Sequence, residues 1–264
     1  MNSLLYPQAT RPVAVGNNGM VASAHPLASL AGLRILQDGG NAFDAVVATA
    51  STLNVVEPYM SGIGGIGVAL VYVHKENRVR AIDFSGRAPK QASPEVFTND
   101  TKDDGIMAAM VPGNLAGWLA ALDEYGTMSR DQVFAPAIEY AEGGFPLTHF
   151  GSWIFSLCTP TLLKCPNAAA TYLINGKVPA PGGVLRQPDL AKTFKLIIDQ
   201  GADVLYQGEI AEAIAKFMVE EDGLMTMKDL NDYKPRWYDP ISSDYRDFTV
   251  TTAPPNSEGF QILE

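Results

Sequence analysis

Charge, cysteine and histidine are all scarce in this sequence. Only 18% of its 264 residues are Asp, Glu, Lys or Arg, too few for a disordered chain or a coiled coil. No run of five or more Lys/Arg occurs, and the formal net charge is -10, from 19 basic and 29 acidic residues. A polyanion would find no local counter-charge, so no nucleic-acid partner is expected. Two cysteines, Cys158 and Cys165, cannot make a disulfide framework and are expected to be unpaired, buried thiols. Three scattered histidines (His25, His74, His149) offer no H-x-x-x-H spacing, and neither a metal nor an organic cofactor is implied. No apolar run is long enough to cross a bilayer. Residues 1–7 lack a charged n-region and a long apolar h-region, so the expected setting is cytoplasmic, with no membrane partner. Solenoid repeats, heptad seams and low-complexity tracts are also missing.

What is present is apolar and rich in turns. Hydrophobic residues make up 47% of the chain, enough for a substantial core, and 24 Gly with 18 Pro call for many tight turns. Its most informative stretch is Ser61-Gly-Ile-Gly-Gly-Ile-Gly67, followed by Val68-Ala-Leu-Val-Tyr-Val73. Gly62, Gly64 and Gly67 match G-x-G-x-x-G, but that fingerprint needs a strand before it and a helix after it. Here the order is reversed. Residues 42–56 are Ala-rich and predict a buried helix; residues 68–74 are β-branched and predict a strand. The glycines therefore serve a sharp helix-to-sheet corner with close backbone packing, and nucleotide binding is set aside.

Met20-Val-Ala-Ser-Ala24 predicts a short strand, and Pro26 opens a helix over 27–37 that Gly39-Gly40 ends. Asn41 is the expected N-cap of the 42–56 helix, and Asp44 favours its dipole. Residues 68–74 and 78–84 predict an antiparallel hairpin, which Pro89 keeps from continuing. Helices are expected over 115–125, from Ser129 toward Gly143, and over 190–199 and 209–220. Ser129 with Gln132, and Thr226 with Asp229, carry capping signals. Residues 248–252 return to a strand, and Pro254-Pro255-Asn-Ser-Glu-Gly259 turns. Residues 260–264 have helical composition but barely more than one turn, so a longer chain is expected to continue past Glu264. Early and late strands with helices between predict an α+β chain or a layered sandwich rather than alternating βαβ units.

No G-x-S-x-G, Walker A, H-E-x-x-H or C-x-x-C is present. Asp83-Phe-Ser-Gly-Arg-Ala-Pro89 places Arg87 on a stiff turn past a strand end, where its fork can grip a carboxylate. The alternative is a structural pair between Arg87 and Asp83 or another acid. Thr251-Thr252 lies within an apparent strand with no sign of processing, which predicts structural threonines rather than an N-terminal nucleophile.

Several motifs, in order along nearly the whole chain, resemble the γ-glutamyltranspeptidase family. They include Met20-Val-Ala-Ser-Ala-His-Pro-Leu-Ala28, Ile35-Leu-Gln-Asp-Gly-Gly-Asn-Ala-Phe-Asp-Ala45, Val55-Val-Glu-Pro58, Ser61-Gly-Ile-Gly-Gly65, Val111-Pro-Gly113, Asp244-Tyr-Arg246 and Pro254-Pro-Asn-Ser-Glu-Gly259. The resemblance implies an N-terminal-nucleophile hydrolase fold, an αββα sandwich of which residues 1–264 form an incomplete part, the first portion of a large subunit. It further implies a precursor that cleaves itself, a catalytic threonine beyond Glu264, and a small subunit from the same precursor as partner. The implied substrate is a small γ-glutamyl amide such as glutathione. The family's large subunit grips the glutamyl α-carboxylate with an arginine in a D-F-R-E-x-A-P pattern. Here Ser85 occupies that place and Arg87 follows two residues later. Side chains two apart share a face in extended backbone, which makes Arg87 the expected substrate-carboxylate residue and Ser85 the second candidate. The S-G-R-A-P form is closer to the acylase-like branch, related to cephalosporin acylases, which shifts the expected substrate toward other acyl amides.

Overall fold

The computed structural model describes residues 13–103 and 105–264; the N-terminal stretch read above for a targeting signal lies outside them. The expected strand at residues 20–24 does not form. Its side chains alternate between half-buried and exposed, as an extended segment's do, but no described strand pairs with it, and a strand without a ladder is not one.

The first helix, α1 (Pro26–Gln37), starts at a proline pre-set for the first turn. His25 caps it, Nδ1 accepting the Leu27 N–H at 3.2 Å. Helix α2 (Ala42–Val56) begins at the expected Asn41, through a full capping box with Asp44. Gly32 lets the two helices cross closely, because a methyl there would collide with Thr49 Oγ1. Asp44 is fully buried, yet its carboxylate accepts N–H groups of Asn41, Thr127 and Met128 at 2.8 to 3.1 Å and the Thr127 hydroxyl at 2.7 Å. Burial alone would raise its carboxyl, but these bonds outweigh it and hold the group below the usual range. The capping acid thus also fastens the 126–128 turn onto α2.

Burial of His25, 6% exposed, holds its imidazole below the ordinary value. Acidification therefore protonates the unfolded state first. The stabilisation from this cap is complete above about pH 6.5 and falls as pH drops through the lower native value. We expect His25→Asn, which keeps a capping acceptor, to flatten the dependence of Tm on pH between about 7 and 5. Parallel Tm–pH curves for the two proteins would count against this role.

After the glycine corner, β1 (Gly67–Val73) and β2 (Arg78–Phe84) form the predicted antiparallel hairpin, from Gly67 opposite Phe84 to Val73 opposite Arg78. The connection turns at Asn77, in the left-handed region at φ 49°. Helices α3 (Asn114–Tyr125) and α4 (Arg130–Gly143) follow, the latter through the expected Ser129–Gln132 capping box. Next come β3 (Phe145–Pro146), α5 (His149–Leu162), α6 (Pro166–Tyr172), β4 (Val184–Leu185), α7 (Pro188–Gln200), α8 (Asp203–Tyr206) and α9 (Glu209–Glu220). Helix α10 (Met227–Asn231) starts at the predicted Thr226 cap, and β5 (Arg236–Tyr238) joins β2 antiparallel. The hairpin of β6 (Ile241–Tyr245) and β7 (Phe248–Thr252) and a final turn, α11 (Phe260–Leu263), complete the described chain.

Helices α1, α2, α4 and α7 pack in succession, with Phe134 and Phe194 fully buried and their rings 5.5 Å apart. The sheet order is β1-β2-β5. One face carries Ile82, Phe84 and Trp237 into the helical core. The other presents Val68, Leu70 and Tyr72, which are 39%, 44% and 55% exposed. The turn after β7 approaches only one end of this face, where Val68, Ala81, Asp83 and Tyr238 meet residues 253–256. The α+β class therefore holds, and the described chain contributes one main sheet.

The cysteines differ from expectation: both are free, but Cys158 is half-buried and Cys165 exposed, because α5 and its following turn sit at the surface. No helix among the described residues is long and apolar enough to cross a membrane.

Candidate functional site

The chain leaves β2 at Phe84 and crosses to Lys90 with no regular element, so side-chain and backbone ties must fix its path. Asp83 Oδ1 accepts the Ser85 N–H at 2.8 Å, and the Tyr233 hydroxyl donates to the Ser85 carbonyl at 2.9 Å. Val111 N–H donates to the Arg87 carbonyl at 2.9 Å, forming an isolated antiparallel bridge. Farther on, Lys90 N–H donates to Asp229 Oδ1 at 3.0 Å and the Lys90 ammonium pairs with Asp232. Asp229 is the acid of the α10 capping box. Its burial would raise the carboxyl, but bonds from Thr226 and Lys90 keep it below the usual range. Both predicted site residues thus lie on one segment, stitched to 111 on one side and to 226–233 on the other.

Ser85 and Arg87 are each half-buried. The Arg87 guanidinium makes no hydrogen bond or ion pair with another described residue. It lies 5.9 Å from the centre of the Tyr233 ring. The alternative pairing with Asp83 is not formed: Asp83 is taken up by the Ser85 N–H and stands opposite Arg236 in the β2–β5 register. A charged fork on a fixed backbone, with no acid among the described residues to neutralise it, can receive an external anion.

The glycine corner positions this segment from beneath. Gly65 carbonyl accepts from both Gly113 N–H and Asn114 N–H at 2.9 Å, and Asn114 Nδ2 donates to Gly62 carbonyl at 2.8 Å. Asn54 Nδ2 donates to Ser61 Oγ at 2.7 Å, joining the end of α2 to the same corner. A methyl at Gly67 would lie 2.5 Å from the Phe84 ring, so the ring rests on bare backbone. Helix precedes the glycines and strand follows, as read from the sequence.

A cleft of about 610 Å³ opens on another side of the corner, lined by Asn54, Ser61, Tyr172, Arg186 and Asp189 among others. Arg87 and Ser85 do not line it. Among the described residues no group of three His, Cys, Asp or Glu side chains is placed to hold a metal ion. Thr251 lies in β7, sharing a 3.0 Å hydroxyl contact with Ser242 across the hairpin, as expected of a structural strand residue. Tyr233 was not among the candidates. It stands 148 residues from Ser85, and no local motif marks it.

The molecule is an α+β scaffold with a helix-to-sheet glycine corner and an arginine just past a strand end. The γ-glutamyltranspeptidase family model matches residues 28–264. The chain is 41% identical over 257 residues to the glutathione hydrolase proenzyme of Bacillus subtilis (strain 168), covering 94% of this chain and 44% of that protein. It is 38% identical over 265 residues to the acylase ACY 1 proenzyme of Pseudomonas sp. (strain SE83), covering 95% and 47%. The crystal structure of Helicobacter pylori γ-glutamyltranspeptidase superposes with a TM-score of 0.90 at 34% identity, covering 94% of this chain and 73% of that one. The chain belongs to the γ-glutamyltranspeptidase family. It spans less than half the length of these two curated relatives.

Proposed function

We propose that residues 1–264 are the first part of the large subunit of a self-processing amide hydrolase or acyltransferase. In this reading the nucleophile is a threonine beyond Glu264, freed when the precursor cleaves itself. Its hydroxyl adds to the acyl carbonyl of a small amide while its own amine takes the proton and passes it to the departing amine. Water or an amino acid then cleaves the resulting ester and restores the threonine. The open sheet face at Val68, Leu70 and Tyr72 supports a second sheet from the remainder of the precursor, completing the αββα sandwich. The small subunit is accordingly the proposed partner, and the cytoplasm the proposed compartment.

The observation that carries the substrate reading is Arg87: half-buried, backbone-tied to Val111 and without a counter-ion among the described residues. It fits the carboxylate of a γ-glutamyl donor such as glutathione. A second reading, an amidase for other acyl groups, is favoured by Ser85 in the place of the family arginine and by the similarity to an acylase proenzyme. Assaying the processed protein side by side with glutathione and a glutaryl amide separates them. Faster turnover of glutathione supports the first reading and of the glutaryl amide the second. No turnover of either, or no threonine at the new N-terminus after processing, would leave a non-catalytic homologue.

A further inference from the structure

Nothing in the glutathione hydrolase or acylase reading explains a buried pair of tyrosines beside Arg87. Tyr206 and Tyr233 are 4% and 5% exposed, with rings stacked 5.5 Å apart at an interplanar angle of 12°. Each hydroxyl is spent on a backbone carbonyl. Tyr206 donates to Pro112 at 2.9 Å, and its oxygen accepts the Ala116 N–H at 3.3 Å. Tyr233 donates to Ser85 at 2.9 Å. The two carbonyls belong to the two segments that the Arg87–Val111 bridge already joins. The stack therefore spans the same pair of segments, one ring per segment.

From this geometry we infer that Tyr233 is a positioning residue for Arg87, setting the direction of the guanidinium through the Ser85 carbonyl and the ring face beside it. The inference rests on the proposed role of Arg87 as a carboxylate grip. Three features support it beyond simple core packing. The hydroxyl bonds the residue two before Arg87, where a change in backbone direction carries directly into the Arg87 side chain. The ring lies 5.9 Å from the guanidinium, close enough to favour a cation over its face. The third is that α10 holds Tyr233 itself: Tyr233 N–H donates to the Leu230 carbonyl at 3.1 Å, and Asp229 of the same helix binds the Lys90 N–H at the far end of the Arg87 segment. The hydroxyl also stays a donor. Burial first, and then the charge of Asp83, push the Tyr233 phenol up to about 12, with Arg87 acting the other way.

The test is a double-mutant cycle in the complete, processed protein, with Tyr233→Phe and Arg87→Ala alone and together. Kinetics are read with γ-glutamyl p-nitroanilide, and Tm is followed for each variant. Tyr233→Phe keeps the ring and its stack and removes only the hydroxyl. The expected result is a rise in KM of about three- to tenfold with kcat within about twofold, the range of one lost backbone hydrogen bond. In the Arg87→Ala background the same change should leave KM where it is, because a residue acting through Arg87 has nothing left to act on. An equal rise in both backgrounds overturns the inference, as does an unchanged KM in the parent. If Arg87→Ala itself leaves KM unaltered, the carboxylate grip fails and takes the inference with it. A preserved Arg87 effect beside a silent Tyr233→Phe removes the inference alone.

Discussion

Replacing Arg87 by alanine in the processed protein should lower kcat/KM for a carboxylate-bearing acyl donor by about 10- to 150-fold. The range follows from the ~1.5–3 kcal/mol of a hydrogen bond to a charged group, at about 1.4 kcal/mol per factor of ten. The loss should appear mainly in KM, because the carboxylate is already charged before the amide reacts. Arg87→Lys should recover only part of it, since an ammonium cannot reproduce the two-pronged fork. Ser85→Ala is the internal control. Its hydroxyl has no hydrogen-bond partner among the described residues, and the two ties at Ser85 run through its backbone N–H and carbonyl. An effect within about twofold is expected there. Equal, small effects for Arg87→Ala and Ser85→Ala would retire the assignment of Arg87.

Gly113→Ala should be among the most damaging single changes in the scaffold, although it adds one methyl. That methyl would fall inside the contact radius of the Phe84 carbonyl oxygen and 2.5 Å from the Tyr233 hydroxyl. Neither neighbour can yield cheaply. The carbonyl is backbone at the end of β2, and the hydroxyl is held by Ser85. Gly113 N–H is also bonded to Gly65, so the helix start cannot slide away without losing that tie. Overpacking typically costs ~1–3 kcal/mol, and rigid surroundings place this case at about 3 kcal/mol or more. For a chain of this size that is a fall in Tm of about 6–12 °C. Gly62→Ala, in the glycine run itself, meets nothing within 4 Å and should change Tm by about 1 °C or less. Similar shifts for the two variants would show that packing against Phe84 is not what Gly113 is needed for.

These two glycines also mark what could be read before the structure. Of the three motif glycines, Gly62 and Gly64 meet nothing within 4 Å, whereas Gly67 is tight against Phe84, as Gly113 is against Phe84 and Tyr233, neighbours that come from elsewhere in the chain. Features with local causes were legible: Asn41 as N-cap fixed the start of α2, and polar residues between two β-branched runs fixed the β1–β2 hairpin. The end of β2 ahead of Arg87 was legible from the heptapeptide 83–89. The three residues of β5 were not, because they form a strand only by pairing with β2, and their sequence carries no period of its own. Helix α5 was masked by Pro160 near its end, a breaker that the last turn of a surface helix tolerates. The strand expected at residues 20–24 failed for the opposite reason: its pattern is right, and its partner is not among the described strands.

The bare side of the β1–β2 hairpin has a consequence for biosynthesis. Translation completes Val68, Leu70 and Tyr72 long before residues 253–256 can shield even one corner of them. During that interval the growing polypeptide presents an oily surface flanked by an unpaired strand rim, the kind of exposure that draws chaperones or self-association. In the sandwich proposed above, expression yield should depend on how quickly the second sheet follows, and a charged residue at position 70 would trade solubility of the half-made product against closure of the finished one.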